Sequence, residues 1–274
     1  MTTASAPTAT VPTAPAATRS AGRRYRHALW LLTVRDLRVR YSTSALGYLW
    51  SILDPLVMSA IYWFVFTKVF HRGSVGEDPY IVFLLVALLP WMWFTGGVSD
   101  STRAFIKESK LIRSTTIPRS IWVARIVASK GIEFLLSIPV LAVFVVATGA
   151  HLHWQAVFFP LGIVLQCALV YGLGLIVAPL VVFFRDLERA TKLVLRFLFY
   201  ASPIIYGTTA LPDALRGIAA INPLTGIFGL YRSAFFPAQL DWFEVGASVL
   251  TTAVVLVVGF AVFRRSEHRV LKEL

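Results

Sequence analysis

Six stretches of this chain are too long and too apolar to be core helices of a soluble domain, and that constrains the fold more than any other feature. They run Ser51 to Phe70, Tyr80 to Val98, Ile132 to Ala150, Gln155 to Phe184, Leu193 to Leu211 and Phe243 to Phe263. About twenty apolar residues in a helix cross the ~30 Å hydrocarbon core of a bilayer. Inside lipid every backbone polar group must be satisfied within the chain, so runs of this kind are helical. Composition agrees: 57% of residues are hydrophobic and 15% charged, where soluble domains are roughly 25% charged. The expected fold class is an all-α integral membrane protein with six transmembrane helices. The fourth run would be about 45 Å long as a helix at ~1.5 Å per residue, so it is expected to tilt, bend near Pro160 or Pro179, or project from the bilayer.

A net charge of +12 in a soluble chain would suggest a nucleic-acid partner, but its placement here indicates a membrane instead. Of 26 Lys and Arg, twenty-one lie before Ser42, from Arg103 to Lys130, from Arg185 to Lys192 or from Arg264 onward. The alternate loops hold four, Lys68, Arg72, Arg216 and Arg232, and Arg196 lies within the fifth run. Basic residues collect on the cytoplasmic side of a membrane protein. Both termini are therefore expected in the cytoplasm, in a multi-pass protein of the bacterial inner (plasma) membrane, in contact with membrane lipids and with no nucleic acid.

Residues 1–22 are dominated by Ala, Thr, Pro and Ser, which cannot bury enough apolar surface to offset chain entropy, and are expected to form a disordered cytoplasmic tail. They lack the order of a signal peptide, so the first span is expected to serve for targeting. From Arg23 to Tyr41, apolar Leu29, Leu32, Val34, Leu37 and Val39 alternate with Arg24, Arg26, Arg35, Arg38 and Arg40. That mixture suits an amphipathic helix lying in the interface, where Arg stems snorkel to headgroups, with a solvated basic linker as the other reading.

Two connecting segments are more than connectors. Ser101 to Ile117 is charged and helix-like, with Phe105, Ile106, Leu111 and Ile112 able to form one apolar face. It reads as a short helix that docks on a partner, or as a solvated surface helix. Thr208 to Asp241 consists of short apolar pieces broken by Pro212, Pro223 and Pro237 and by glycines 217, 226 and 229. No piece is long enough to cross. Non-helical backbone at membrane depth survives only against protein or a water-filled cavity, so two short re-entrant helices would imply a lumen, the alternative being a helical outer loop.

Catalytic signals are missing. There is no GxxxxGK[ST] phosphate loop, so ATP is not expected to bind this chain. Cys167 is the only cysteine and the acids are scattered, which argues against a disulfide framework, a zinc site or a metal-dependent glycosyltransferase. Glu133 and Glu244 lie at the ends of their runs rather than deep within them, which weakens a proton-coupled mechanism. Among the aromatics, Trp91, Trp93 and Phe94 read as an interfacial belt. Tyr62, Phe66 and Phe70 recur at i, i+4 and i+8 on one helix face, either packing or lining a path for sugars. Phe197 and Tyr200 of the fifth run join that channel set.

Three ordered motifs carry a family resemblance. RDLRVRYSTSALGYLWSILDPL from Arg35 to Leu56, FRDLERA from Phe184 with SPIIY from Ser202, and NPLTGIFGLYRSAF from Asn222 resemble the transmembrane subunits of ABC-2 type polysaccharide exporters. The resemblance covers nearly everything after Arg23, making residues 23–274 one ABC-2 type transmembrane domain. It implies a homodimer joined to two copies of a separate ATPase subunit that binds ATP and Mg, with no cofactor in this chain, which is itself no enzyme. The cargo implied is a lipid-linked polysaccharide: O-antigen, teichoic acid or, from the Arg-rich composition typical of actinobacteria, galactan. It further implies an N-terminal interface helix, a cytoplasmic coupling helix including Phe105, Ile106, Lys107, Glu108 and Leu111, and an outer gate of two re-entrant helices including Asn222, Pro223, Tyr231 and Arg232. The alternatives are an ABC-2 drug or lipid efflux permease and an ion-coupled secondary flippase of lipid-linked oligosaccharide.

Overall fold

The computed structural model of the chain describes residues 21–42, 49–65, 77–115 and 117–273. These are helical, with no strand among them. The long elements are α1 (Ala21–Ser42), α2 (Trp50–Trp63), α3 (Tyr80–Ser101), α6 (Ile121–Thr148), α7 (Phe159–Phe183), α8 (Leu187–Ala201) and α11 (Trp242–Glu273). Shorter helices are α4 (Ala104–Lys107), α5 (Ser109–Ser114), α9 (Asp213–Ile221) and α10 (Pro223–Arg232). Among the described residues four segments are long and apolar enough to cross a membrane: Tyr80–Ser101, Ile121–Thr148, Trp154–Phe183 and Trp242–Glu267.

The helix α3 is the centre of the bundle. It touches α2, α6, α7, α8 and α10, so apolar residues on all sides find partners, and Val82 to Leu85 are wholly buried. This corrects the belt reading of Trp91, Trp93 and Phe94, which lie about halfway along α3 or beyond and are all buried. Trp93 instead donates its indole N–H to Val127 O of α6 at 3.2 Å, and Gln166 of α7 donates to Pro90 O at 2.7 Å. Such bonds between helices in lipid contribute about 0.6 to 1.7 kcal/mol each.

Two glycines shape the frame. Gly149 ends α6 with φ 68°, and Ala150 N–H bonds to Val145 O, the left-handed cap that favours glycine. Gly259 of α11 faces Gly172 of α7, where an added Cβ would lie 2.5 Å from Gly172 O. Only small residues let two helix backbones approach this closely.

Several boundaries differ from expectation. The third span begins earlier, at Ile121, taking Arg125 and Lys130 into α6. The fourth begins with a 3-10 turn, Trp154–Phe158, before α7 starts with Pro160 in its first turn, where the missing N–H costs nothing. The fifth run is not one helix: α8 stops at Ala201, and Ser202 is extended, as expected for the residue preceding a proline. The charged segment after α3 is two short helices broken at Glu108. Before α11 lie two short helices, α9 and α10. The N-terminal tail 1–20 and the later part of the first run, with Phe66 and Phe70, fall outside the described residues.

Candidate functional site

A groove of about 650 Å³ lies between α2, α3 and α8. The amphipathic α8 forms one wall. Its Lys192, Leu195, Arg196, Phe199 and Tyr200 recur at helical spacing and line the groove, while Leu193, Val194 and Phe197 face outward, with Phe197 71% exposed. Tyr62 and Met58 come from α2, and Trp91, Met92, Thr95 and Asp100 from α3. Phe199 is the hub of the rings: Tyr62 stacks on it at 5.7 Å, Trp91 lies 5.5 Å away, and Tyr200 meets it edge-on at 5.2 Å. Aromatic faces thus line one end of the groove, and Asp100, Lys192 and Arg196 charge the end nearest α1.

At that basic end α1 is held by two closed rings of alternating charge. In the first, Arg35 bridges Asp36 at 3.6 Å and Glu108 at 2.5 Å, and the buried Arg125 bridges the same two acids, contacting Asp36 and lying 3.3 Å from Glu108. In the second, Arg40 contacts Asp100 at 2.8 Å and Glu133 at 3.1 Å, and Lys130 contacts them at 3.8 and 2.8 Å. A cavity of about 700 Å³ lies between the rings, where Arg103 and Lys107 add further positive charge. Burial pushes the Asp36 carboxyl up, and the Arg125 and Arg35 guanidiniums beside it oppose that shift. Arg103 also reaches α8, where it contacts Glu188 at 2.5 Å, and Lys192 donates to the same carboxylate at 2.7 Å. The hydrogen bond from Arg103, then that from Lys192, lowers Glu188 to about 2.

At the opposite end the segment following α8 is pinned through its backbone. Arg232, buried, donates to Ile204 O at 2.6 Å and Tyr206 O at 3.1 Å, with its guanidinium 3.8 Å from the centre of the Phe83 ring. Tyr80 donates to Ile205 O at 3.1 Å. Asn222 caps α10 by accepting from Leu224 N–H at 3.1 Å and donates to Ser202 Oγ at 2.8 Å. Pro223 follows in the first turn. Tyr231 is buried against Phe159 and Phe134.

The structure thus brings the second and third sequence motifs together, SPIIY against NPLTGIFGLYR. Of the channel candidates, Tyr62 and Tyr200 line the groove, whereas Phe197 lies on the opposite face of α8. Of the coupling candidates, Phe105 is buried in this chain, 6.2 Å from Phe263 of α11. Its neighbours Ile106 and Lys107 are exposed, Leu111 is half-buried, and Glu108 belongs to the first charge ring. Sequence reasoning missed Trp91, Phe199, Lys192 and Arg196 as groove residues. The helical spacing of 192, 196, 199 and 200 was the available signal. It also missed Arg125, a cation one turn inside an apolar helix.

An all-helical bundle whose long helices are apolar enough to cross a bilayer, with an aromatic-lined groove on its side, is the fold of a multi-pass membrane protein. The family model for ABC-2 type transporters matches residues 27–236, and the chain belongs to that family. Among known proteins it is 34% identical to the O-antigen export system permease protein RfbA of Klebsiella pneumoniae, over 88% of this chain and 92% of that one. It is 30% identical to the protein of that name in Myxococcus xanthus, over 85% and 89%. The polysialic acid transport protein KpsM of Escherichia coli is 25% identical, over 88% and 93%.

Proposed function

We propose that this chain is the membrane subunit of an ATP-driven exporter that moves a lipid-linked polysaccharide out of the cytoplasm. Two copies would form the membrane unit, with two copies of a separate ATPase subunit binding ATP and Mg. The relatives named for O-antigen and polysialic acid export support a polysaccharide cargo. The observation that carries the reading is the groove itself: Tyr62 stacked on Phe199, with Trp91 tilted against Phe199, beside cationic Lys192 and Arg196. Sugar faces carry C–H groups that pack on rings, and the cations suit an anionic carrier at the mouth.

In this reading the first run and the broken segment around α8 complete six crossings, and the basic end lies in the cytoplasm. The exposed side of α4 and α5 receives the ATPase, and α9 with α10 closes the outer end. Galactan is the leading cargo, with O-antigen and teichoic acid next. Depleting the protein and identifying by mass spectrometry the lipid-linked glycan that accumulates in the cytoplasmic leaflet tests this. A polyprenyl-linked polymer is expected. No accumulating glycan, with surface glycan unchanged, would overturn the proposal.

A further inference from the structure

The two charge rings share two elements, α1 and α6, and together they connect the α4–α5 segment to the groove. The first joins α1 through Asp36 and Arg35 to Glu108, the residue between α4 and α5, with Arg125 of α6 as the buried link. The second joins the end of α1 through Arg40 to Asp100, and Asp100 lines both the inter-ring cavity and the groove. The other groove wall is reached from Arg103, at the start of α4, through Glu188 to Lys192 on α8. Both walls of the mouth are therefore tied by ion pairs to one short segment.

Arg125 holds a particular place in this arrangement. It is 3% exposed, and its guanidinium bridges carboxylates from two different elements. A planar fork can bridge two carboxylates at once, whereas a lysine ammonium is a single point charge on a flexible stem. Removing it would leave Arg35 as the one guanidinium paired with both partly buried acids, with Lys107 beside them in the cavity.

We infer that Arg125 is a positioning residue that locks α1 and the α4–α5 segment into one body, so that a displacement of that segment is delivered through α1 to the mouth of the groove. This rests on the transport reading above, but its mechanical part can be measured without any cargo. Spin labels at Leu31→Cys and Lys110→Cys, both exposed sites, are placed in full-length protein carrying Cys167→Ser. In lipid nanodiscs, with the labelled chain diluted into unlabelled chain so that only the two labels of one copy pair, the otherwise unchanged chain should give one narrow inter-label distance, and Arg125→Gln a broadened or shifted one. An unchanged narrow distance in Arg125→Gln would overturn the inference. If that variant fails to accumulate, Arg125→Lys decides in the same way, because it keeps the charge and loses the fork.

Export supplies the second arm. Arg125→Gln and Glu108→Gln should each lower glycan export at least tenfold at unchanged abundance, and the double variant should be no worse than either, because both break one ring. Multiplying losses, or normal export, would contradict the inference. If the natural sequence restores no export to a strain lacking it, the transport reading fails, and the distance measurement still decides the role of Arg125.

Discussion

Tyr62 of α2 stacks on Phe199 of α8 with ring centres 5.7 Å apart and planes 28° from parallel. This contact joins two walls of the groove, and a ring pair of this kind is worth about 0.5–1.5 kcal/mol beyond its area. If passing sugars meet these rings, Tyr62→Ala with Phe199→Ala should slow glycan export by roughly tenfold, since ~1.4 kcal/mol is a factor of ten. Phe197→Ala, on the outward face, should leave export unchanged. Surface glycan and membrane abundance are measured together, and lost abundance would indicate packing alone.

Orientation follows from the placement of charge. In a Cys167→Ser background, Trp154→Cys at the end opposite α1 should react with an impermeant maleimide in intact cells. Lys272→Cys in the last turn of α11 should react only after permeabilisation. The reverse pattern would invert the topology.

The surface of α4 and α5 that the proposed function gives to an ATPase is narrower than the sequence suggests. Phe105 is buried against Phe263, so Phe105→Ala should cost about 3–5 kcal/mol of stability and reduce abundance. Ile106→Asp with Lys107→Glu changes only exposed positions. It should lower copurification of the ATPase while leaving insertion and abundance intact, as read by pull-down from solubilised membranes.

At the opposite end, Arg232→Met would strip Ile204 O and Tyr206 O of their donors, at about 1–3 kcal/mol for each buried group left unpaired. The segment it pins should loosen, making proteoliposomes leak small dyes. Asn222→Ala removes a helix cap worth about 1 kcal/mol and should leak less. Tight vesicles with both variants would contradict a closing role for this end.

Much of this was legible in the sequence, and the remainder was not for identifiable reasons. Pro212 and Pro223 announced the two short helices, since proline interrupts a helix wherever its missing N–H is needed. The Ser202–Pro203 step carried the signal that ends α8, but the apolar count over Leu193 to Leu211 outweighed it. Trp91 could not be told from a lipid anchor because both are apolar rings on a helix; only the neighbours of α3 separate them. Burial of Phe105 depends on where α11 passes, which no local pattern encodes. Arg125 looked like one more positive charge near a span end, and only the fold shows two acids from separate elements converging on it.

If the proposed function holds, the groove between α2, α3 and α8 carries the glycan. A photo-crosslinking amino acid in place of Met92, within the groove, is compared with one in place of Val143, on the exposed far face of α6. Cells exporting a radiolabelled glycan are irradiated, and label bound to the protein is counted. Capture is expected at position 92 during export and lost when export is stopped, with none at position 143. Export proceeding normally with no capture at 92, or with equal capture at both positions, would contradict that role for the groove.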